Sequence, residues 1–557
     1  MYLRDVRVID EFFRLESHSN KQLPVLACPT KTSSGYKFCS AIELDILVDR
    51  AARCLCARGL NVQNRATAPT VGILGPTNLG YLMIACGLSR LGYTALILSP
   101  RLSLTAYVAL IKETSCKILL SSSQRVEVLS QLKSSISISI LDLIDEDEVL
   151  LENPHLPLFQ IPSSSLSDKS LTAYVMHSSG STGLPKPIYQ SHQRYISNAS
   201  NGFGLSAFVT LPLYHAYGFG AFYRALVHGT LLILYDGSIP VTGKNMVQVI
   251  ETLRPQQVST VPYSLKLISE EKGGIEALRS YKIVAYHGSP CPVELGDRLS
   301  ENGIHIVGHL GSTEAGALAT TMRPRGDDNW NYFRFLPSVK PHLWMKPLGT
   351  GDFELVCLDS LPTKVISNSD EPLNSLHTRD LFEPHPKISE AWKYLGRIDD
   401  RITLLNGEKI LPLPIEGLIQ DNPLVQEAVV FGINRAVPGI LIFKSHLADE
   451  MSSEAFLGYL WPTIERANKK AEAFSQIGKD LVIVLSAGVK FPKTDNGSLI
   501  RLTGYQKFHK EIEESYHRVE ISEGTLALGL SIESALDPVD LRVDEVDDRL
   551  RRLAYVM

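Results

Sequence analysis

From Val71 onward, short apolar runs alternate with longer stretches whose apolar residues recur every three or four positions. VGILGP (71–76) reads as a buried strand closed by Gly-Pro. Asn78 stands where a helix over YLMIACGLSRLG needs its N-cap, and TALILSP returns as a strand. A second round follows, with a helix over LSLTAYVALIKETS and a strand over CKILLSS. The alternation recurs at TLLILYD, NMVQVIETLRP and QVSTVP, then at GGIEALRS, KIVAYHG, PVELGDRLSENG and IHIVGHLG. Strands alternating with amphipathic helices predict parallel βαβ units in a doubly wound α/β sheet.

Residues 323–376 break this rhythm with short strands and turn residues, which predicts a β-rich subdomain. GRIDDRITLLNGEKI (396–410) reads as a hairpin with an Asn-Gly turn. A helix, the strand EAVVFGI and further mixed pieces follow, as expected of a small α+β domain. The expected organisation is an N-terminal extension (1–25), a large α/β domain (26–398), a small domain (399–517) and an acidic tail (518–557).

The apolar run from Val71 to Leu98 is broken by Asn78, Ser89 and Arg90, so it is not a membrane span. The first twenty residues are charged throughout and lack the apolar core of a secretory signal. Across 557 residues, 55 Lys and Arg face 60 Asp and Glu, a net charge of -5. That balance argues against nucleic acid as a partner. Eight cysteines in so long a chain form no disulfide framework, and the Cys54/Cys56 pair lacks the companions of a zinc site. A soluble cytoplasmic protein without membrane or nucleic-acid partners is the expectation.

The strongest chemical signal is Tyr174 to Pro187, YVMHSSGSTGLPKP. An apolar strand enters a loop bearing Ser178, Ser179, Gly180, Ser181, Thr182, Gly183 and Lys186. Glycines admit backbone N–H groups close to an anion, hydroxyls add donors, and lysine adds charge. The pattern describes a phosphate cradle, and not the Walker type, whose spacing is absent.

This loop resembles the signature of the AMP-forming adenylating enzymes. Its spelling HSSGSTGLPKPI is similar to the adenylation domains of fungal NRPS-like proteins and adenylate-forming reductases. Other segments match that family in order: GYTALILSPR (92–101), LPLYHAYG (211–218), HGSP (287–290), GSTEAG (311–316), HTRDLF (377–382), GRIDDR (396–401) and PKTDNGSLIR (492–501). The resemblance covers roughly residues 25–515. It implies a large doubly wound domain with a β-rich subdomain and a small, mobile C-terminal domain. It also implies ATP and Mg2+, attack of a carboxylate on the α-phosphate, release of pyrophosphate, and transfer of the acyl group to a thiol. The implied acceptor is CoA or the phosphopantetheine of a separate carrier protein.

On this resemblance the 178–186 loop holds the β- and γ-phosphates, and His287, Gly288, Ser289, Leu310, Gly311 and Ser312 surround the adenine. Thr313 bonds the α-phosphate, Glu314 ligates the metal, Asp380 accepts the ribose hydroxyls, and Arg397 reaches ribose or phosphate. His215 is the gate beside the acyl pocket, and Asp399 is the hinge. Three positions depart from the family pattern. Leu310 replaces a stacking tyrosine, Arg379 replaces the glycine before the ribose aspartate, and Asn496-Gly497-Ser498 lacks the C-terminal lysine. Lys493 is the nearest replacement.

Amino-acid-activating relatives carry an aspartate where this chain has Ala216. A buried ammonium without a counter-charge is costly. The expected substrate is therefore a small carboxylic acid with no free α-amino group. A pocket of Ala216, Tyr217, Gly220, Tyr263, His309 and Ala317 suits an aryl or arylpyruvic acid. No thioesterase elbow or reductase dinucleotide motif is evident, so an adenylation unit by itself is expected. The alternatives are an acyl-CoA ligase, and a degenerate homologue that binds without catalysis.

Overall fold

The computed structural model describes residues 2–15, 23–30, 35–67, 69–122, 125–151, 166–178, 185–237, 239, 241–349, 351–405, 408–493, 497 and 499–519. The acidic tail beyond 519 lies outside them, as do Ser179–Gly183 of the phosphate loop, Asn406 and Gly407 of the hairpin turn, Asn496 and Ser498.

The βαβ rhythm becomes two large sheets. The first has six strands in the order Ser139–Asp142, Ile118–Ser121, Thr70–Leu74, Thr94–Ile97, Thr172–Ser178 and Lys186–Ser191. All neighbours are parallel except the last pair. The second has thirteen strands. Its middle is parallel, running Pro24–Pro29, Leu232–Leu234, Ala207–Val209, Gln257–Thr260, Ile283–Tyr286, Ile306–Ser312. From Gly316–Thr320 to Leu343–Pro347 every pairing is antiparallel. The β-rich segment is thus a continuation of the parallel sheet rather than a sheet of its own.

The helices begin where the sequence signals them. Asn78 Oδ1 accepts from the Tyr81 amide at 2.9 Å and caps Leu79–Arg90. Ser40 and Glu43 form a reciprocal capping box on Ala41–Ala57. Arg90, a break in the apolar run, is fully buried. It bonds Asp10 at 2.9 Å and the Asp45 carbonyl at 2.9 Å, reaches the Asp45 carboxylate, and lies 3.8 Å from Asp49.

Asp10 belongs to the segment expected to be an extension. Val6, Ile9, Phe12 and Phe13 of that segment are buried in the same core as the Leu79–Arg90 helix. The Ile9 amide donates to His192 Nδ1 at 3.2 Å. This N-terminal stretch, described as far as residue 15, is therefore a wall of the large domain. Short apolar pairs such as Phe12-Phe13 carry too little periodicity to announce that role.

The chain divides into two compact units. One comprises Met1–Arg401, Leu411–Asp421 and Phe491–Thr503. The other comprises Ile402–Ile410, Asn422–Lys490 and Gly504–Met557. In the latter, Val425–Phe431, Gly439–Lys444 and Val482–Leu485 form a three-stranded sheet accompanied by the Ser453–Lys470 helix. The hairpin is shorter than the sequence suggests. Ile402–Thr403 pairs with Lys409–Ile410, whereas Gly396 and Arg397 pair with Leu381 and Asp380 in the large sheet. Among the described residues, no helix is long and apolar enough to cross a membrane.

Candidate active site

The carboxyl ends of the parallel strands carry most of the residues singled out above, as ligand sites in open α/β sheets do. His287 follows Ile283–Tyr286, and Leu310, Gly311 and Ser312 end the adjacent strand Ile306–Ser312. Thr313 and Glu314 form the turn into Gly316–Thr320, whose Ala317 pairs with Gly311. A Cβ at Gly311 would lie 2.4 Å from the Gly316 carbonyl, so this turn needs glycine.

The Thr313–Glu314 turn is clamped from behind. Arg194, buried on the helix His192–Ala199, donates to the carbonyls of Ser312 (3.1 Å), Glu314 (3.2 Å) and Thr363 (2.8 Å). Burial pulls its guanidinium down to about 10, well below the ordinary arginine value. Gln190 Nε2 donates to the Thr313 carbonyl at 3.0 Å, and Ser312 Oγ accepts from the amides of Glu314 and Ala315. The backbone is held while the Glu314 carboxylate has no partner among the described residues. A carboxylate oxygen in that condition fits a hard divalent cation.

Ser178 and Lys186 are register partners at the end of their strand pair. Of the loop between them, residues 179–184 lie outside the described residues. Asp380 and Arg397 are paired across two strands. Burial raises the Asp380 carboxyl to about 6, against the pull of Arg397. Arg397 Nη2 donates to Asp399 at 3.0 Å, and Arg379 lies 3.8 Å from the same carboxylate. Arg379 adopts φ +62°. The position that the resemblance assigns to glycine thus keeps a glycine-like backbone under a long charged side chain. Asp399 lies in the single turn Ile398–Asp400, just before the units part at Arg401.

His215 is the N-cap residue of the Ala216–His228 helix and packs on Tyr214, ring centroids 4.8 Å apart. A Cβ at Gly218 would lie 2.6 Å from the Pro212 carbonyl, which ties this helix start to its loop. Tyr217 stacks on His287 at 3.6 Å and 22°, and its hydroxyl donates to Ser259 Oγ at 3.1 Å. His309 meets Phe203 edge-on at 5.5 Å. Burial, then His309, Arg224 and His215, hold the His287 imidazole well below its ordinary value. Burial, then Arg224, lowers His309 to about 4. Both rings are neutral at pH 7. Gly288 (φ +87°) and Ser289 continue outward from His287. Tyr263 is 66% exposed at the start of Pro262–Glu270.

Lys493 is exposed and bridges Leu499 in a short antiparallel contact. Arg501, which ends that motif, is buried against Glu416 with bonds of 2.7 and 2.8 Å.

Sequence reasoning missed Arg194 and Arg224. Arg194 carries no motif signal, because its partners are carbonyls more than a hundred residues away. Tyr217, Gly220 and Arg224 share one face at helical spacing, but that spacing alone does not set Arg224 apart from other helix-surface arginines.

The clamped Thr313–Glu314 turn at the end of a parallel strand and the Asp380–Arg397 pair on the antiparallel strands belong to one continuous α/β sheet. The chain belongs to the AMP-binding enzyme family, which it matches over residues 19–342; residues 399–520 match the AMP-binding enzyme C-terminal domain. It is 28% identical over 556 residues to an adenylate-forming reductase of Serpula lacrymans, covering 92% of this chain and 49% of that protein. The chain spans about half the length of the curated relatives it matches. Among solved structures it resembles an anthranilate CoA ligase in complex with anthranoyl-AMP (TM-score 0.72, 17% identity, covering 90% of this chain and 98% of that one). It also resembles the o-succinylbenzoate coenzyme A synthetase of Bacillus subtilis in complex with ATP and magnesium (TM-score 0.70, 19% identity, 89% and 99%). These structural likenesses establish the adenylating-enzyme fold.

Proposed function

We propose that this chain uses ATP to convert a carboxylic acid to an acyl-adenylate. A carboxylate oxygen forms a bond to the α-phosphorus, the bond from that phosphorus to the bridging oxygen breaks, and pyrophosphate leaves. The observation that carries the reading is the Thr313–Glu314 turn, held rigid by Arg194 and Gln190 while its carboxylate stays open. Glu314 would hold Mg2+, which supplies charge neutralisation on the phosphates when bound. Thr313 orients the α-phosphate, Asp380 accepts the ribose hydroxyls, and the loop from Ser178 to Lys186 takes the distal phosphates.

The acid has no free α-amino group. Ala216 offers no carboxylate, and the groups acting on His287 are histidines and an arginine. An aryl or arylpyruvic acid fits the flat wall of Tyr217 and His287. The acyl group then passes to a thiol, of CoA or of a carrier protein, with Asp399 as hinge of the small domain. The missing C-terminal lysine makes the first half-reaction slow, and Lys493 is the residue available to replace it.

ATP–pyrophosphate exchange over a panel of aryl, arylpyruvic, fatty and amino acids tests the reading. Exchange with aryl or keto acids supports it. Exchange with amino acids alone overturns the argument from Ala216, and no exchange with any acid favours a binding homologue.

A further inference from the structure

Arg224 occupies the pocket side of the Ala216–His228 helix, half-buried. Its guanidinium carbon lies 4.8 Å from the centre of the Tyr217 ring, the same ring that stacks on His287. Gly220 makes room for it: a Cβ there would meet an Arg224 Nη at 3.2 Å. Among the described residues Arg224 forms no ion pair and no hydrogen bond, so its charge rests on the aromatic face alone. Two more polar groups nearby are unsatisfied. His287 Nε2 and His309 Nε2 are both buried without a hydrogen-bond partner, and His287 as a whole is 5% exposed.

These features point the same way. Buried ring nitrogens are normally paired, and an orphan invites a ligand atom. A guanidinium stacked on a ring keeps its fork of N–H donors free for a planar oxyanion. Two neutral imidazoles can each present an N–H to the same anion without adding charge. The surrounding wall is aromatic, so a ligand entering here exchanges water for a ring face and a fixed cation.

We propose that Arg224, with His287 and His309, forms a receptor for a second carboxylate on the acyl substrate, so that the preferred acids are aryl dicarboxylic acids activated at the other end. This rests on the acid-activation reading above and names its substrate class.

The test uses the full chain and matched acids: 3-(4-carboxyphenyl)propionic acid, its parent 3-phenylpropionic acid, and the diacid's ester at the ring carboxyl. The diacid is expected to exceed both neutral-ended acids in kcat/KM for pyrophosphate exchange on the order of tenfold to a hundredfold, the range a charge-assisted pair supports. Arg224→Met keeps the stem over Tyr217 and is expected to collapse that ratio toward one. Arg224→Lys retains part of it, and both should melt near wild type because the side chain is half-exposed. An unchanged ratio in Arg224→Met overturns the receptor while leaving acid activation intact. Equal losses for diacid and parent also overturn it, since they place Arg224 on the reacting carboxylate or on the nucleotide. If no acid supports exchange, the activation reading fails, and calorimetric titration of the diacid decides the receptor. Tighter binding to wild type than to Arg224→Met then supports it, and equal affinities overturn it.

Discussion

Arg90 and Arg224 sit on two helices of the same large unit and are treated in opposite ways. Arg90 has no exposed surface and is surrounded by Asp10, Asp45 and Asp49. Arg224 is half-buried over a tyrosine with no carboxylate partner among the described residues. Around Arg90, the charge is closed by the chain itself. At the strand ends, Glu314, His287 and His309 likewise have open polar atoms, while the backbone beneath Glu314 is clamped. At the Arg90 cluster the cation is met by carboxylates of the chain, with Asp10 Oδ2 left without a hydrogen bond. At the strand ends the frame under Glu314 is matched while its carboxylate and two imidazole nitrogens are open, as the proposed ligand roles require.

The sharpest way to break this contrast is at the closed cluster. Arg90→Met leaves the Asp10 carboxylate buried without its cation, and burial already raises that carboxyl. The expected loss is about 3–5 kcal/mol of stability, read by denaturant unfolding. A loss below about 1 kcal/mol would mean that the cluster is not the anchor of the N-terminal wall.

At the open cluster, Glu314→Gln should do the reverse. Pyrophosphate exchange falls on the order of 10²–10³-fold while the melting temperature hardly moves, because no protein partner is lost. Normal exchange in that variant removes Glu314 from the metal site.

Asp380 offers a milder test. Burial raises its carboxyl to about 6, so protonation below that pH removes the charge proposed to accept the ribose hydroxyls. KM for ATP should rise as pH falls through about 6, and Asp380→Asn should have a high KM without that step. The stability term runs oppositely. Between 3.8 and about 6 the folded carboxyl binds more protons than the unfolded one, so its contribution falls as pH rises through that window. A KM profile that is flat in wild type would detach Asp380 from the nucleotide.

The smallest effect belongs to Arg379, held at φ +62°. Arg379→Gly removes a left-handed strain of roughly 1–2 kcal/mol, part of which glycine's freedom in the unfolded chain offsets. Its weak contact with Asp399 goes too, and at 57% exposure that contact adds little. A net gain of about 0.5 kcal/mol is expected by thermal unfolding, and Arg379→Ala, which keeps the strain, should show none. Equal behaviour of the two variants would remove strain from the account.

Much of the fold was legible along the chain. The order of strands and helices and the Asn78 cap follow from local rules, periodicity and capping. Near-neighbour residues enforce those rules, so one sequence suffices to see them. Thr313 and Glu314 lie in the turn between Ile306–Ser312 and Gly316–Thr320, and Asp380 and Arg397 pair across two strands, so both pairs of residues sit in segments whose form is locally set.

What the tertiary structure alone decided is where charge is closed and where it is open. Arg90 reads as a break in an apolar run until Asp10, 80 positions earlier, is folded against it. Arg194 has no motif, because it holds carbonyls that any residue could supply. Arg379 hints at its left-handed backbone only through the glycine that the resemblance expects there, and Arg224 resembles any helix-surface arginine until Tyr217 and His287 are stacked beneath it. Local sequence determines which elements form because hydrogen bonding and periodicity act over a few residues. The pairing of charges depends on distances between elements far apart in the chain, and those distances exist only once the sheets are assembled.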